Sequence, residues 1–238
     1  MENKLNILVI GLGVIGTTYG YIFSKAGHNV EHYVRKTSKN YNVDKLNVEI
    51  LDGRFESKGK QSQDTYVINK ASKEVYDFIF VAIPSGNIES VTEVLDKEEI
   101  KGTIILACGI WENHDYVKNL MVKKDYILGY PVAGGNIDNG TLNCCVFDHF
   151  MLESKEKSHI SNYDELLGLF SSSNIKLEHP YDMLEWIWLH MAINAGVVSV
   201  AGKYGDINNV SESAEKLMNS TKKVIGSGKI YQRNFKNC

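Results

Sequence analysis

The residues with the clearest chemical reading lie near the start of the chain, in Gly11-Leu12-Gly13-Val14-Ile15-Gly16. A bare G-x-G-x-x-G string says little. Its setting says more, because an apolar run, Leu5–Ile10, precedes it and a helical pattern follows. In that setting Gly11 permits a tight turn, Gly13 lets the backbone approach a pyrophosphate with no Cβ in the way, and Gly16 lets helix and strand pack closely. Leu12, Val14 and Ile15 then belong to a stretch whose free N–H groups meet phosphates at the positive end of a helix dipole. The other reading is a glycine-rich turn serving a different ligand in an α/β protein.

The end of the second strand separates the two nicotinamide dinucleotides. An NAD site wants a carboxylate there to bond the ribose hydroxyls. This chain has Val34 at that position, followed by Arg35 and Lys36, which can pair with a 2′-phosphate through charge-assisted bonds. Glu31 is a rival acid, but it falls mid-strand, three residues before Val34. The pattern therefore reads as NADP(H) over NAD(H). A solvated loop is the plainer account of two adjacent cations.

A second pair of interest is His190 and Asn194, four residues apart in Trp186-Ile187-Trp188-Leu189-His190-Met191-Ala192-Ile193-Asn194. Spacing of i and i+4 puts both on one face of a helix. Among apolar neighbours both should be partly buried and need partners. One partner would be the oxygen of a substrate carbonyl, which an imidazolium can protonate and an amide can orient. The other reading is a core His and Asn bonded to each other or to the backbone, and spacing alone favours it. The remaining histidines, 28, 32, 114, 149, 159 and 179, form no ligand pattern, so no metal is expected. Asp77 reads as a strand-start residue and Glu185 as a solvated helix residue.

The elements that must position these groups follow from hydrophobic period. Leu5–Ile10 is a continuous apolar run, the mark of a buried parallel strand. Residues 14–26 carry Ile15, Tyr19, Ile22, Phe23 and Ala26 at helical spacing, stopped by Gly27. Asn29–Val34 is a second strand, and residues 37–64 are polar, with short strands indicated near 46–51 and 65–68. Strong strands are predicted at Tyr76–Ile83 and Thr103–Ala107, flanking a helix at 87–96. Further strands are read at Tyr126–Tyr130, Cys144–Phe150 and Ile175–Glu178, and helices at Tyr163–Phe170, from Tyr181 onward, and at Ser211–Val224. Strands alternating with helices argue a Rossmann-type, doubly wound, mostly parallel sheet. The chain divides into a dinucleotide-binding part, 1–180, and a small α-helical part, 181–238.

Composition narrows the function further. A net charge of −3 over 238 residues gives no footprint for nucleic acid or an anionic membrane. The longest apolar stretch, Met191–Gly202, falls short of the roughly 18 residues that cross a bilayer. The first residues read as no signal peptide. The cysteines, Cys108, Cys144, Cys145 and Cys238, show no metal-binding or bridging pattern, which fits a reducing, cytoplasmic setting.

From Leu5 to about Gly202 the chain resembles the ketopantoate reductase family. The resemblance rests on Gly11–Gly16, the Val34-Arg35 strand end and the Trp188-Leu189-His190-Met191-Ala192-Ile193-Asn194 helix. It implies a Rossmann domain followed by a helical domain, and reduction of 2-oxo acids with NADPH. On that match His190 stands at the family's catalytic lysine and Asn194 at its substrate-side asparagine. Pro84 takes the place of a lysine beside the cofactor, and Cys108-Gly109 that of an Asn-Gly pair, so Pro84 and Cys108 are expected to border the cofactor. The expected partners are a small 2-oxo acid or related carbonyl and a second copy of the chain in a homodimer. A dinucleotide-binding protein without catalysis, or a Rossmann dehydrogenase for hydroxy acids or opines, are the alternatives.

Overall fold

A computed structural model describes residues 4–204 apart from 58 and 85. The helix expected at Ser211–Val224, and with it most of the expected helical part, lies outside the described residues. The elements run β1 (Asn6–Ile10), α1 (Val14–Lys25), β2 (Asn29–Tyr33), β3 (Lys45–Asp52), β4 (Lys60–Val67), β5 (Val75–Val81), α2 (Ile88–Lys97), β6 (Lys101–Ala107), α3 (His114–Leu120), β7 (Tyr126–Asp138), β8 (Thr141–Leu152), α4 (Tyr163–Ser172), β9 (Lys176–Glu178) and α5 (Met183–Tyr204). The strands form one sheet in the order β2-β1-β5-β6-β7-β8-β3-β4, with β9 beside β8. Strands β2, β1, β5, β6 and β7 pair in parallel, whereas β3–β4 and β7–β8 are antiparallel. This is the expected Rossmann-type, mostly parallel sheet with helices on both faces.

The central strands β1, β5 and β6 are apolar almost throughout because both faces are covered. On one face α1 and α4 pack against Phe78, Phe80 and Phe150. On the other, α2, α3 and the first turns of α5 pack against Leu8, Ile79 and Leu106. Strand β3 differs: its residues alternate exposed and buried along the whole strand, so it covers the core with one face only.

The helix after the glycine-rich turn is the first departure from expectation. Its apolar spacing suggests one buried stripe, yet every residue from Gly16 to Phe23 is buried. The sheet curls to produce this. Beyond β4 the chain returns to the free edge of β2, where His32 N–H donates to Asn69 O at 2.7 Å and Ala71 N–H to His32 O at 3.0 Å. The β3–β4 side then contributes Leu46, Val48, Ile50 and Tyr66 to the cluster that holds Tyr19 and Phe23. Gly20 makes this closure possible, because a Cβ there would sit 2.8 Å from both His32 Nε2 and Tyr66 Oη.

Other departures are of extent. The indicated strands near 46–51 and 65–68 are eight-residue strands. Strands β7 and β8 are 13 and 12 residues long, far beyond the expected segments. They meet at Asn139-Gly140, where φ is +47° and +77°, the two-residue hairpin turn that Asn-Gly favours. Helix α3 falls where no element is expected.

Candidate active site

The glycine-rich turn is built by close backbone approaches. Gly11 has φ +112°, and a Cβ on it would lie 2.3 Å from Ala82 O. A Cβ on Gly16 would lie 2.3 Å from Gly11 O and 3.2 Å from Val9 Cγ1. These two glycines seat the turn against β5 and the start of α1, with Leu12 buried between them. Gly13 is different. It is the N-cap of α1 at φ −88°, ψ −178°, a conformation open to any residue, and a Cβ there would meet nothing within 4 Å. Thr17 N–H donates to Gly13 O at 2.9 Å, so the N–H groups of Val14, Ile15 and Gly16 precede the helical ladder. No cap side chain and no first-turn carboxylate occupies this end. An anion can approach it, and the open space at Gly13 admits the diphosphate of a dinucleotide.

Gly13, Val14 and Ile15 line a cleft of about 660 Å³ at the carboxyl ends of β1, β5 and β6. Pro84 and Cys108 border it from the ends of β5 and β6, and His190 and Asn194 face it from α5. In open α/β sheets this is where ligands bind. Burial pushes the Cys108 thiol up to about 12, helped by nearby Glu112, so it stays a protonated wall residue.

The α5 pair is held by aromatic packing. His190 stacks on Trp186, with ring centres 4.6 Å apart, and meets the Tyr130 ring edge-on at 4.9 Å. Burial, with the neighbouring His149, lowers its pKa, so the neutral imidazole prevails at neutral pH. Asn194 Nδ2 donates to Tyr130 Oη at 3.5 Å. His190 and Asn194 thus share a cleft wall and are not bonded to each other. Sequence reasoning passed over Tyr130 and Phe147, which line the same cleft; the signal available for Tyr130 was its position at a strand end on the cleft side.

Arg35 and Lys36 lie exposed just past β2, outside the cleft lining. Neither side chain has a hydrogen bond or ion pair with another described residue. Glu31 is occupied elsewhere: it accepts from Tyr76 Oη at 2.6 Å and from Ser72 N and Oγ at 2.7 and 2.8 Å. Partial burial raises its pKa, but these bonds outweigh that and leave it below the ordinary value. It is therefore not a free acid for a ribose. Asp77 accepts from Asn6 N–H at 2.6 Å at the opposite end of the sheet. Glu185 is not the solvated residue expected, since its Oε2 is buried with no hydrogen-bond partner among the described residues. No group of three or more His, Cys, Asp or Glu among the described residues could hold a metal ion.

The curled, mostly parallel sheet with a glycine-rich turn opening α1 defines a Rossmann-type fold. Residues 7–109 match the family described as ketopantoate reductase PanE/ApbA. Solved structures share the fold. The 2-dehydropantoate 2-reductase from Geobacter metallireducens GS-15 is 16% identical with a TM-score of 0.62, over 83% of this chain and 65% of that one. The dimeric ketopantoate reductase from Staphylococcus aureus is 14% identical with a TM-score of 0.55, over 83% of this chain and 62% of that one. A yersinopine dehydrogenase with NADP+ bound is 14% identical with a TM-score of 0.57, over 83% of this chain and 52% of that one. The chain thus spans less than two thirds of the length of each of these three. No curated protein matches it. No helix among the described residues is long and apolar enough to cross a membrane.

Proposed function

We propose that this protein is an NADPH-dependent oxidoreductase that reduces a small 2-oxo acid or a related carbonyl. The observation that carries the reading is the single cleft shared by the Gly13 turn, the ends of β5 and β6, and the His190–Asn194 face of α5. The backbone N–H groups at Val14 and Ile15 hold the diphosphate, and Gly11, Leu12 and Gly16 shape the turn that presents them. Arg35 and Lys36 pair with the 2′-phosphate. Pro84 and Cys108 border the nicotinamide and exclude water from it. The reduced nicotinamide, when bound, supplies a hydride. His190 donates an N–H to the substrate's carbonyl oxygen, and Asn194 orients the substrate. On this reading the substrate part begins near residue 181, the protein works in the cytoplasm, and it pairs as a homodimer.

The test is a titration of the full chain with NADPH and NADH, followed by a panel of 2-oxo acids supplied with and without an amino acid. Tighter NADPH binding and oxidation of NADPH by a 2-oxo acid alone are the expected results. Oxidation only when an amine is present would replace this reading with an opine-type reaction. Binding with no oxidation would leave a dinucleotide-binding protein and remove the reductase.

A further inference from the structure

We infer that Tyr130 is the proton donor of the proposed reduction and that Asn194 is the residue that positions it. This inference rests on the reductase reading above. Tyr130 lies at the cleft end of the parallel part of β7, and its side chain lines the cavity together with Asn194 and His190. The amide of Asn194 donates to its oxygen. A hydroxyl that accepts in this way keeps its own proton to give to something else. No described residue takes that proton. Three other tyrosines have theirs committed: Tyr21 donates to Asp64, Tyr76 to Glu31, and Tyr163 to the carbonyl of Glu153. Tyr130 is thus a phenol on the wall of the cleft, backed by an amide donor, with a proton left to give to whatever fills the space.

Its surroundings suit the task better than those of His190. The titratable groups facing it are His190 on α5 and Cys108 at the end of β6, with His149 of β8 acting on His190. None of these is a fixed cation. Burial lowers the pKa of His190, which empties its acidic form at neutral pH. Burial raises that of Tyr130, the Asn194 bond opposes the rise, and Cys108 adds to it, so the phenol stays protonated across the physiological range. The step balances as follows. The substrate's carbonyl carbon accepts a hydride from the reduced nicotinamide, and the C=O π pair moves onto oxygen. That oxygen takes the Tyr130 proton and becomes a hydroxyl. The phenolate left behind keeps the Asn194 N–H bond and recovers a proton from water at the mouth of the cleft. Ring packing against Trp186 and His190 holds the phenol in place, at centre distances of 5.4 and 4.9 Å.

The experiment compares the native full chain with Tyr130→Phe and Asn194→Ala, each first checked for folding by thermal melting. Tyr130→Phe keeps NADPH affinity within about twofold, because the hydroxyl does not touch the phosphate turn. It weakens binding of oxamate, a non-reducible mimic of a 2-oxo acid, by about three- to tenfold, the worth of one neutral hydrogen bond. It slows turnover by about 10²–10⁴-fold, as loss of a general acid does. Phenolate absorbance, read as the difference between native protein and Tyr130→Phe, shows Tyr130 ionising above the ordinary value for tyrosine. In Asn194→Ala that ionisation moves higher still, a shift that a merely structural role would not produce. Native turnover persists past neutral pH instead of falling as an imidazole loses its proton. Turnover that survives Tyr130→Phe, or a pH profile that follows an imidazole, overturns this inference alone. A native protein that binds NADPH and reduces nothing overturns the reductase reading itself.

Discussion

Gly13 and Gly16 are neighbours in one motif, yet their environments predict opposite behaviour on substitution. At Gly16 an added methyl would sit 2.3 Å from the Gly11 carbonyl oxygen, a backbone atom that cannot step aside. Helix α1 would have to move off the sheet, and overpacking of this kind costs about 1–3 kcal/mol. At Gly13 the backbone already has dihedrals any residue adopts, and the methyl would meet nothing within 4 Å. Ala is a poor N-cap relative to Gly, but it also restricts the unfolded chain; the two effects oppose, each below about 1 kcal/mol. Gly13→Ala should therefore melt within a few degrees of the native protein. On the proposed reading the same methyl fills the approach of the diphosphate. Losing two charge-assisted backbone bonds at about 1.5–3 kcal/mol each removes about 3–6 kcal/mol, or roughly 10²–10⁴-fold in NADPH affinity. Thermal melting and nucleotide fluorescence titration on both variants separate the effects. If Gly13→Ala binds NADPH as the native protein does, the phosphates do not lie on this turn. If it melts as low as Gly16→Ala, the space seen at Gly13 is not there.

Four further outcomes are expected. Arg35→Ala should weaken NADPH about tenfold or more while leaving NADH affinity unchanged, the value of one Arg–phosphate contact; equal losses for both nucleotides would remove the 2′-phosphate role. Arg54 forms a two-pronged pair with Asp52, at 2.7 and 3.0 Å, and donates to Ser173 O at 2.8 Å, so Arg54→Met should cost about 3 kcal/mol in urea unfolding by stranding a buried carboxylate. Burial lowers His32 from 6.5 to about 4, so the unfolded chain binds a proton that the native state refuses; stability should fall by about 3 kcal/mol as pH drops from 6.5 to 4, and His32→Gln should lose that part of the slope. A Cβ on Gly109 would come within 2.7 Å of Met191 Cε, a flexible end that can yield, so Gly109→Ala should melt almost normally and bind NADPH normally, yet turn over more slowly as α5 shifts beside the cleft.

What was legible in the sequence was what depends on local pattern. The run Asn6–Ile10, the glycines after it and the helix from Val14 all obey rules that need only neighbours, and each was readable to within a residue or two. The caging of α1 was not. Nothing in the polar stretch 37–64 announces that β3 will join β8, far along the chain, and that β4 will lead back to β2. That closure depends on register between strands about a hundred residues apart, which no local period encodes. The alternation of Leu46, Val48 and Ile50 was present, and so was Asn139-Gly140, a hairpin signal that would have extended both β7 and β8. The cleft was half legible: helical spacing put His190 and Asn194 on one face, but Tyr130 reaches them only through the packing of β7 under α5.

The two halves of the cleft are held by different physics, and this bears on how each would fail. The half proposed to hold phosphate is braced by backbone. Ala82 N–H bonds Ile10 O at 3.0 Å, Gly11 is pressed onto β5, and His32, bonded to Tyr66 at 2.8 Å, lies beneath the Gly11 backbone. The curl of the sheet thus supports the turn from the side that a simple strand–turn–helix leaves open. Donors fixed in this way need little reorganisation to meet an anion, so affinity there is set before a ligand arrives. The half proposed to hold the carbonyl rests on side chains of one helix: Trp186 and His190 stacked together, Met191 against Gly109, and Asn194 reaching Tyr130 at 3.5 Å. Small shifts of α5 change orientation there without touching the turn. Substitutions under the turn should accordingly appear as lost nucleotide affinity, and those along α5 as lost rate at unchanged nucleotide affinity.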